Sequence, residues 1–384
     1  MAFKSDLPPG QALMLAALAL PGLGLGLGVP DAAAQTVPDS ATLSVDYLHY
    51  KDEQPGLDRV SVRSPAVRLS LPVAGAWLLE AGAVSDHVSG ATPRYHTAIS
   101  GASRMDDQRH AADLRVTRYL ANASVSAGAA WSNENDYRSR ALSLGGTISS
   151  VDHNTTGGLS LGVSNDTVSP VNLLVTGERR HTVELLASLE QVLTQRDIVK
   201  LDFTHAKGKG YYSDPYKYVD KRPRKRDVNS LLLRWNHALA DGSAARTSYR
   251  YYMDSFGIRA HTLGAEYERA LGGGWALTPS LRLSTQSAAD FYFDPVYDPR
   301  FGPPFPPGYT FGSTAFTSAD QRLSGFGAVT AGLQAAYSFG DGWRAHVKGE
   351  RYRQSTGWRQ FGSGSPGLAR MDAQIWQLGV SKQW

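Results

Sequence analysis

The sequence predicts an all-β protein, a transmembrane antiparallel β-barrel of about sixteen strands with both termini on the periplasmic side. Three observations predict it. Apolar residues recur with a period of two almost everywhere after residue 35, as in Leu159-Ser160-Leu161-Gly162-Val163 and Trp343-Arg344-Ala345-His346-Val347-Lys348, the signature of a strand with one oily and one wet face. Short turns alternate with long loops, the order found in barrels with tight periplasmic turns and longer outer loops. The chain also opens on a leader-like segment, and nothing after it offers the run of about 20 apolar residues that a membrane helix needs.

The leader is residues 1–34. Ala12 to Val29, "ALMLAALALPGLGLGLGV", follows a polar start carrying Lys4 and runs into the small residues of "DAAAQ", which predicts a secretory signal peptide cut between Ala34 and Gln35. As an uncleaved anchor it would be a poor helix, because Pro21 and the alternating glycines break it. The glycines make no nucleotide loop either, since Leu27 stands where G-x-G-x-x-G needs its third glycine. Residues 35–384 are then the barrel domain.

Composition narrows the classes further. With 42 % hydrophobic residues and a mean hydropathy of −0.30, the chain is too polar for a bundle of membrane helices. It has no cysteine, which excludes zinc-finger, iron–sulfur and thiol chemistry and leaves a large core or a lipid environment to hold an exported protein together. Basic and acidic residues nearly balance, 39 against 35, so no nucleic-acid partner is expected. No cofactor or metal site is expected, because none of the ten histidines has ligand spacing such as H-E-x-x-H.

In chain order the strands fall near 41–50, 58–71, 76–85, 111–120, 122–131, 139–150, 156–165, 180–192, 197–206, 227–239, 243–253, 258–270, 275–286, 321–339, 343–354 and 372–384. Turns at 151–154, 194–197, 240–243, 272–274 and 340–342 take the short places, and loops at 85–110, 206–226, 286–320 and 355–370 the long ones. Trp77, Trp275 and Trp343 each follow a glycine-containing turn and would form an aromatic girdle at the periplasmic interface. A soluble sandwich can also bury tryptophan at strand ends; a β-helix would show a fixed-period repeat, and none is present.

Several segments together carry a family likeness: "VSGATP" at 88–93, "SGAS" at 100–103 with Asp107 and Arg109, "SNENDYRS" at 132–139, "GYYSDPYK" at 210–217, "RPRKR" at 222–226, "YRYYMDSFGIRAHT" at 249–262, "QSAADFY" at 286–292 and "SADQRLSGFGA" at 318–328. This set resembles the DUF3570 family of bacterial outer-membrane β-barrel proteins. Ser255 and Phe256 depart from it, standing where an acid or Asn followed by Trp is expected. The resemblance implies a barrel in the outer membrane. Through the small lipoproteins, thioredoxin-like proteins and flavin transferases encoded beside such proteins, it also implies an envelope redox setting.

If the apolar parity faces lipid, the other parity lines the lumen. On the strands between 111 and 165 it is small: Ser124, Ser126, Gly128, Ala141, Ser143, Ser149, Ser160, Gly162 and Ser164. Later strands instead send Arg234, Arg246, Arg250, Arg282, Arg344 and Lys348 inward, with Glu266 and Glu350 as nearby acids. These charges either set a field favouring a small polar or anionic solute in a porin-like channel or exporter, or pair and pack the interior. A non-transporting barrel that scaffolds envelope partners is the competing class.

The loop after residue 286 carries Phe291, Tyr292, Phe293, Tyr297, Phe301, Phe305 and Tyr309 among stiffening prolines, and is expected to fold inward as a constriction. The loop from 207 to 226 is basic, with Lys207, Lys209, Lys217, Lys221, Arg222, Arg224, Lys225 and Arg226 against Asp214 and Asp220, and either binds lipopolysaccharide phosphates or is simply solvated. For a barrel hydrolase the best candidate is His261, near Asp254 and Arg259, although a lone interfacial histidine is far more often structural. Finally, "QLGVSKQW" resembles the C-terminal signal read by the barrel-assembly machinery, with Gln377, Gly379 and Trp384 in register and Lys382 where an apolar residue is expected. Outer-membrane lipids and lipopolysaccharide are the remaining expected partners, and the oligomeric state stays open.

Overall fold

The computed structural model describes residues 36–55, 57–91, 104–215, 217, 219–294, 310 and 314–384. The expected signal peptide lies outside them. The strands are β1 (Thr42–Gln54), β2 (Leu57–Val73), β3 (Trp77–Ala91), β4 (Arg104–Tyr119), β5 (Ala123–Asn133), β6 (Tyr137–Ser149), β7 (Thr155–Val168), β8 (Glu178–Val192), β9 (Asp197–Gly210), β10 (Asp220–Lys221), β11 (Lys225–Ala238), β12 (Ala244–Asp254), β13 (Arg259–Gly272), β14 (Trp275–Gln286), β15 (Thr317–Ser318), β16 (Phe326–Gly340), β17 (Trp343–Ser355) and β18 (Met371–Gln383). All but β10 and β15 close into one antiparallel barrel of sixteen strands. β10 and β15 pair with each other, Asp220 with Ser318 and Lys221 with Thr317.

Closure is made by β1 on β18, with Val45 opposite Val380 and Tyr47 opposite Leu378. Beyond the last rung, the Ala41 N–H donates to the Trp384 carbonyl at 2.9 Å and the Trp384 N–H donates back at 3.0 Å. The barrel therefore has no free edge, and its strands satisfy their backbones laterally, the condition for standing in hydrocarbon.

Each strand expected from the alternation is present. The barrel strands run for 11–17 residues, enough for the about 9–11 needed to cross a bilayer. The expected strand at 321–339 begins late, at Phe326, because Gln321–Leu323 form a 3-10 turn. Asp320 causes this: its carboxylate accepts the Arg322 N–H at 3.0 Å, a local bond that competes with a ladder.

One face of the sheet is an unbroken apolar band. Cross-strand register puts Leu69, Leu43, Val45, Val380, Val347, Leu333, Leu281, Leu263, Leu233, Leu201, Leu185, Leu161 and Leu144 on the same outward face, and many are exposed, Leu142 by 61 % and Ile148 by 68 %. Water-soluble proteins rarely leave so large an apolar belt uncovered, and an outward apolar band of this kind is the pattern of membrane barrels. At the short-turn end, Trp77, Trp275 and Trp343 all face outward and are exposed. Arg118 lies over Trp77 at 5.2 Å and Lys382 over Trp343 at 5.3 Å. Lys382 also donates to the Asp341 carbonyl, so the residue that breaks the apolar pattern of the last strand has a polar partner and an aromatic one.

Glycine is required where the backbone turns left-handed under a neighbour. Gly257, with φ +87°, closes the β12–β13 connection, and a Cβ there would stand 2.1 Å from the Asp290 carboxylate. Gly257→Val should therefore cost about 1–3 kcal/mol of strain. The expected readout is faster hydrogen exchange at 255–258 with urea unfolding of the barrel nearly unchanged.

Candidate functional site at the loop end of the barrel

The β9–β11 connection, residues 211–224, and the segment leading into β16 meet in a network of six charges. Asp320 is its centre and is fully buried, with Asp214 buried almost as completely. One carboxylate oxygen of Asp320, Oδ2, lies 2.5 Å from Lys217 Nζ, 2.6 Å from Arg222 Nη2 and 2.5 Å from Arg322 Nη2. Arg222 is a bidentate partner of Asp220, with both contacts at 2.7 Å. Asp214 takes Lys217 at 3.1 Å and Arg322 at 2.9 Å.

Hydroxyls and amides complete the lining. Ser318 donates to Asp220 at 2.7 Å, the Asp214 N–H donates to Asp220 at 3.0 Å, and the Arg222 N–H donates to Ser213 at 3.0 Å. Burial pushes the Asp320 carboxyl up, but Arg322, Lys217 and Arg222 outweigh it and hold it well below the usual carboxylate range. The same contest leaves Asp214 below its usual value. Burial and the neighbouring Arg322 hold Lys217 below the usual lysine range despite its two carboxylates. Burial, then the acids nearby, pushes Tyr211 up to about 12.

An aromatic clamp sits against this network. Phe256, 1 % exposed, meets Tyr212 edge-on at 5.8 Å and Phe291 edge-on at 5.1 Å, with Arg226 over its ring at 4.6 Å. Ile258, Ala289 and Leu323 pack with it, alongside Tyr252 and Tyr292. Ser255, the other departure from the family pattern, accepts the Asp227 N–H at 3.0 Å. The segment after β14 is thereby tied down: Ala289 N–H donates to Leu323, Asp290 N–H to Phe256 and Phe293 N–H to Ser318, all within 3.0 Å. Of the expected constriction, Phe291 and Tyr292 belong to this clamp and Phe293 is tied to Ser318 through its backbone, while Tyr297, Phe301, Phe305 and Tyr309 lie outside the described residues.

The segments that carried the family likeness, spread over more than a hundred residues, thus converge. "GYYSDPYK", "RPRKR", "YRYYMDSFGIRAHT", "QSAADFY" and "SADQRLSGFGA" supply the network and its clamp. The earlier ones meet elsewhere on the rim. Oxygens of Asp107, Glu134 and Asp136 lie within 4.8 Å of one another, a grouping with the geometry to hold a metal ion. The Asn135 amide donates to Asp107 at 2.6 Å, and Arg109 pairs with the buried Asp86 at 2.5 Å. Sequence spacing alone does not reveal this group, because Asp107 opens one strand and the other two acids sit in the next outer turn.

Below the network, the side chains opposite the apolar band line the barrel. Ser126, Gly128, Ser143, Ser160 and Gly162 stand on the inner face of β5–β7, and β16 is diametrically across the ring from β6. Arg234, Arg246, Arg250, Glu266, Arg282, Arg344, Lys348 and Glu350 share that inner face on β11–β14 and β17. Arg234 pairs with Asp202, Arg246 with Glu268 at 2.8 Å, and Lys348 with Glu350 at 3.2 Å. Arg250 and Arg344 have no ion pair among the described residues. Arg250 and Arg282 approach diagonally across β13, where Gly264, opposite both Ser248 and Arg282, puts no side chain between them. Sequence reasoning missed Arg68, Glu80, Asp113 and Arg115, which the same parity places inside on β2–β4.

The inner wall near the loops is packed rather than open. Leu48, Val62, Val88 and Ile375 are almost wholly buried there although they point away from lipid, and Lys348 and Glu350 are buried too. Leu368, from the β17–β18 connection, packs onto Phe326, Ala328 and Tyr352. His261 faces outward, accepting or donating to Tyr249 at 2.7 Å and flanked by Tyr251 and Phe361. Asp254 instead holds Arg226 at 2.5 Å, so the acid expected beside His261 is engaged elsewhere. In the last strand, Gly379 leaves room for Asp46 and His346 on either side, and a Cβ would meet them at 2.3 and 2.2 Å. Gln377 lies on the same inner face between Leu48 and Lys348, and Trp384 is exposed at the turn end.

Comparison with known proteins agrees with this architecture. Among solved structures the chain is similar to CdiB from Acinetobacter baumannii, with 7 % identity and a TM-score of 0.52, over 88 % of this chain and 60 % of that one. It spans less than two thirds of that protein's length, and at this identity the likeness extends to the barrel fold alone. It is also similar to a Pseudomonas aeruginosa FadL homologue, with 12 % identity and a TM-score of 0.45, over 95 % and 96 % of the two chains. No curated protein matches it. The family model described as "Protein of unknown function (DUF3570)" matches residues 96–177 and 172–373, which reach from the β3–β4 connection to the start of β18, and the chain belongs to that family.

Proposed function

We propose that this barrel sits in the bacterial outer membrane, loops outward and both termini periplasmic, and passes a small polar or anionic solute as a gated channel or exporter, without enzymatic turnover. The observation that carries the reading is Arg250: an inner-wall arginine with no carboxylate partner among the described residues, beside Arg282 across the bare Gly264. A guanidinium kept permanently charged on a lumen wall raises the local concentration of anions and lowers that of cations. The buried charge network at the loop end supplies the gate. Gln377, Gly379 and Trp384 serve as the assembly signal for insertion.

A closed barrel that scaffolds envelope partners is the second reading, favoured by the burial of inner-wall Lys200, Asp202, Lys348 and Glu350. Planar-bilayer recordings separate the two. Discrete, anion-preferring steps are expected from the parent protein, and the double change Arg250→Glu, Arg282→Glu should shift the preference several-fold toward cations. A folded protein that stays electrically silent, or a preference indifferent to the double change, overturns the channel reading.

A further inference from the structure

The outward face of β6, β7, β8, β9 and β11 changes character at one level. Up to that level the register on β6–β8 is apolar, with Leu144 opposite Leu161 and Leu161 opposite Leu185, then Leu142 opposite Val163 and Val163 opposite Val183, while the same rows continue on β9 and β11 as His205 and Asn229, then Lys207 and Asp227. The next row reads Arg140, Asn165, His181, Lys209 and Lys225, each opposite the one before it on neighbouring strands. At about 4.8 Å per strand this row is about 19 Å long. One rung higher stand Arg138, Thr167 and Arg179, and Lys207 lies just below Lys209. Trp131, paired with Arg140 and 41 % exposed, marks the row's edge as the level where hydrocarbon ends.

These cations are not balanced within the chain. Arg140, Arg179, Lys207, Lys209 and Lys225 are exposed and have no ion pair among the described residues, while Asn165 satisfies His181 at 2.9 Å and Asn133 satisfies Arg138 at 3.1 Å. Asp227, opposite Lys207, is an acid on the same face. Lys209 and Lys225 face each other directly, an arrangement that repels unless an anion lies between them. At the same end of the far wall the cations do not form a row: Arg63 and Arg351 are exposed and unpaired among the described residues but stand singly, opposite His49 and Gln374, on strands that are not neighbours. Lys51 holds Asp58 at 3.1 Å, and Asp372 holds Arg353 at 2.6 Å and Arg370 at 2.8 Å.

We infer that this face binds the phosphorylated head group of an anionic glycolipid in the leaflet at the loop end, with lipid A as its type. Arg140, Arg179, Lys209 and Lys225 take the phosphates, and Leu142, Val163 and Val183 lie against the acyl chains. A free anion would use the cations alone; the apolar rows directly beneath the row on β6–β8 fit a ligand that is charged at one end and oily at the other. The surface is separate from the lumen, so it does not depend on the channel reading; lipid A as its ligand rests on the loops-outward orientation proposed above.

The test is titration of the purified barrel in detergent with lipid A and with its dephosphorylated form, read by native mass spectrometry. Parent protein should bind the phosphorylated lipid, and the triple change Arg179→Gln, Lys209→Gln, Lys225→Gln should weaken that binding at least about tenfold, as expected for lost charge-assisted contacts. The far-wall pair Arg63→Gln, Arg351→Gln should leave it unchanged. If the triple variant does not fold, the single change Lys209→Gln carries the test with a smaller drop. Equal binding of the dephosphorylated lipid, equal loss in the far-wall variant, or displacement of the lipid by an equal concentration of inorganic phosphate overturns the assignment.

Discussion

Asp320→Ala should release the loop end of the barrel while leaving the barrel closed. The substitution removes the one carboxylate that Lys217, Arg222 and Arg322 share, inside a site from which water is excluded. Breaking a buried ion network by deleting one partner costs about 3–5 kcal/mol, because the remaining charges are stranded without compensation. Asp214 and Asp220 hold part of the cation set, so local opening is expected rather than collapse. Amides in 211–222 should exchange about a hundredfold faster or more, and protease should cut there first. The sixteen-strand ladder depends on none of these contacts, so heat-modifiable migration should persist. In bilayers the variant should open more often or more widely than the parent. If exchange in 211–222 is unchanged, the network does not hold the loop.

Strong acid should mimic that substitution in the native protein. Asp320 and Asp214 have folded pKa values below the ordinary carboxylate value of 3.8. A group depressed on folding contributes stability that is complete above its unfolded pKa and disappears as pH falls through its folded one. The loop end should therefore stay latched from neutral pH down to about pH 4 and loosen only below it. Lys217 works in the same direction, since its depressed value makes the folded network less costly as pH rises toward the alkaline range. Hydrogen exchange in 211–222 followed from pH 7 to pH 3 checks this: protection that fades already near pH 6 would place control of the loop in a histidine instead.

Fold and site were legible to different degrees, for reasons visible in particular residues. The period of two is a local property of each strand, and closure with both termini at the turn end needs only an even strand count, so stretches such as 156–165 and 343–354 could be placed without any partner. The girdle of Trp77, Trp275 and Trp343 and the inner-wall parity follow from the same alternation. The loop from 207 to 226 read as one basic patch because charge was counted along the chain. In the fold it divides: Lys217 and Arg222 point into a buried network, Arg224 and Arg226 pair with Glu178 and Asp254, and Lys207, Lys209 and Lys225 face outward.

Asp320 shows the same limit. In the sequence it is a polar residue near the end of a long loop, about a hundred residues from Lys217 and Arg222, and no spacing rule joins them. Alternation along the chain by itself determined the barrel, its strand order and which side chains face lipid, because those depend on each strand's own pattern and on the demand that backbone groups in a membrane pair laterally. Only the tertiary structure decided which loops meet, which charges are buried together and which cations are left on the outer face, because those depend on contacts between segments that local pattern does not encode.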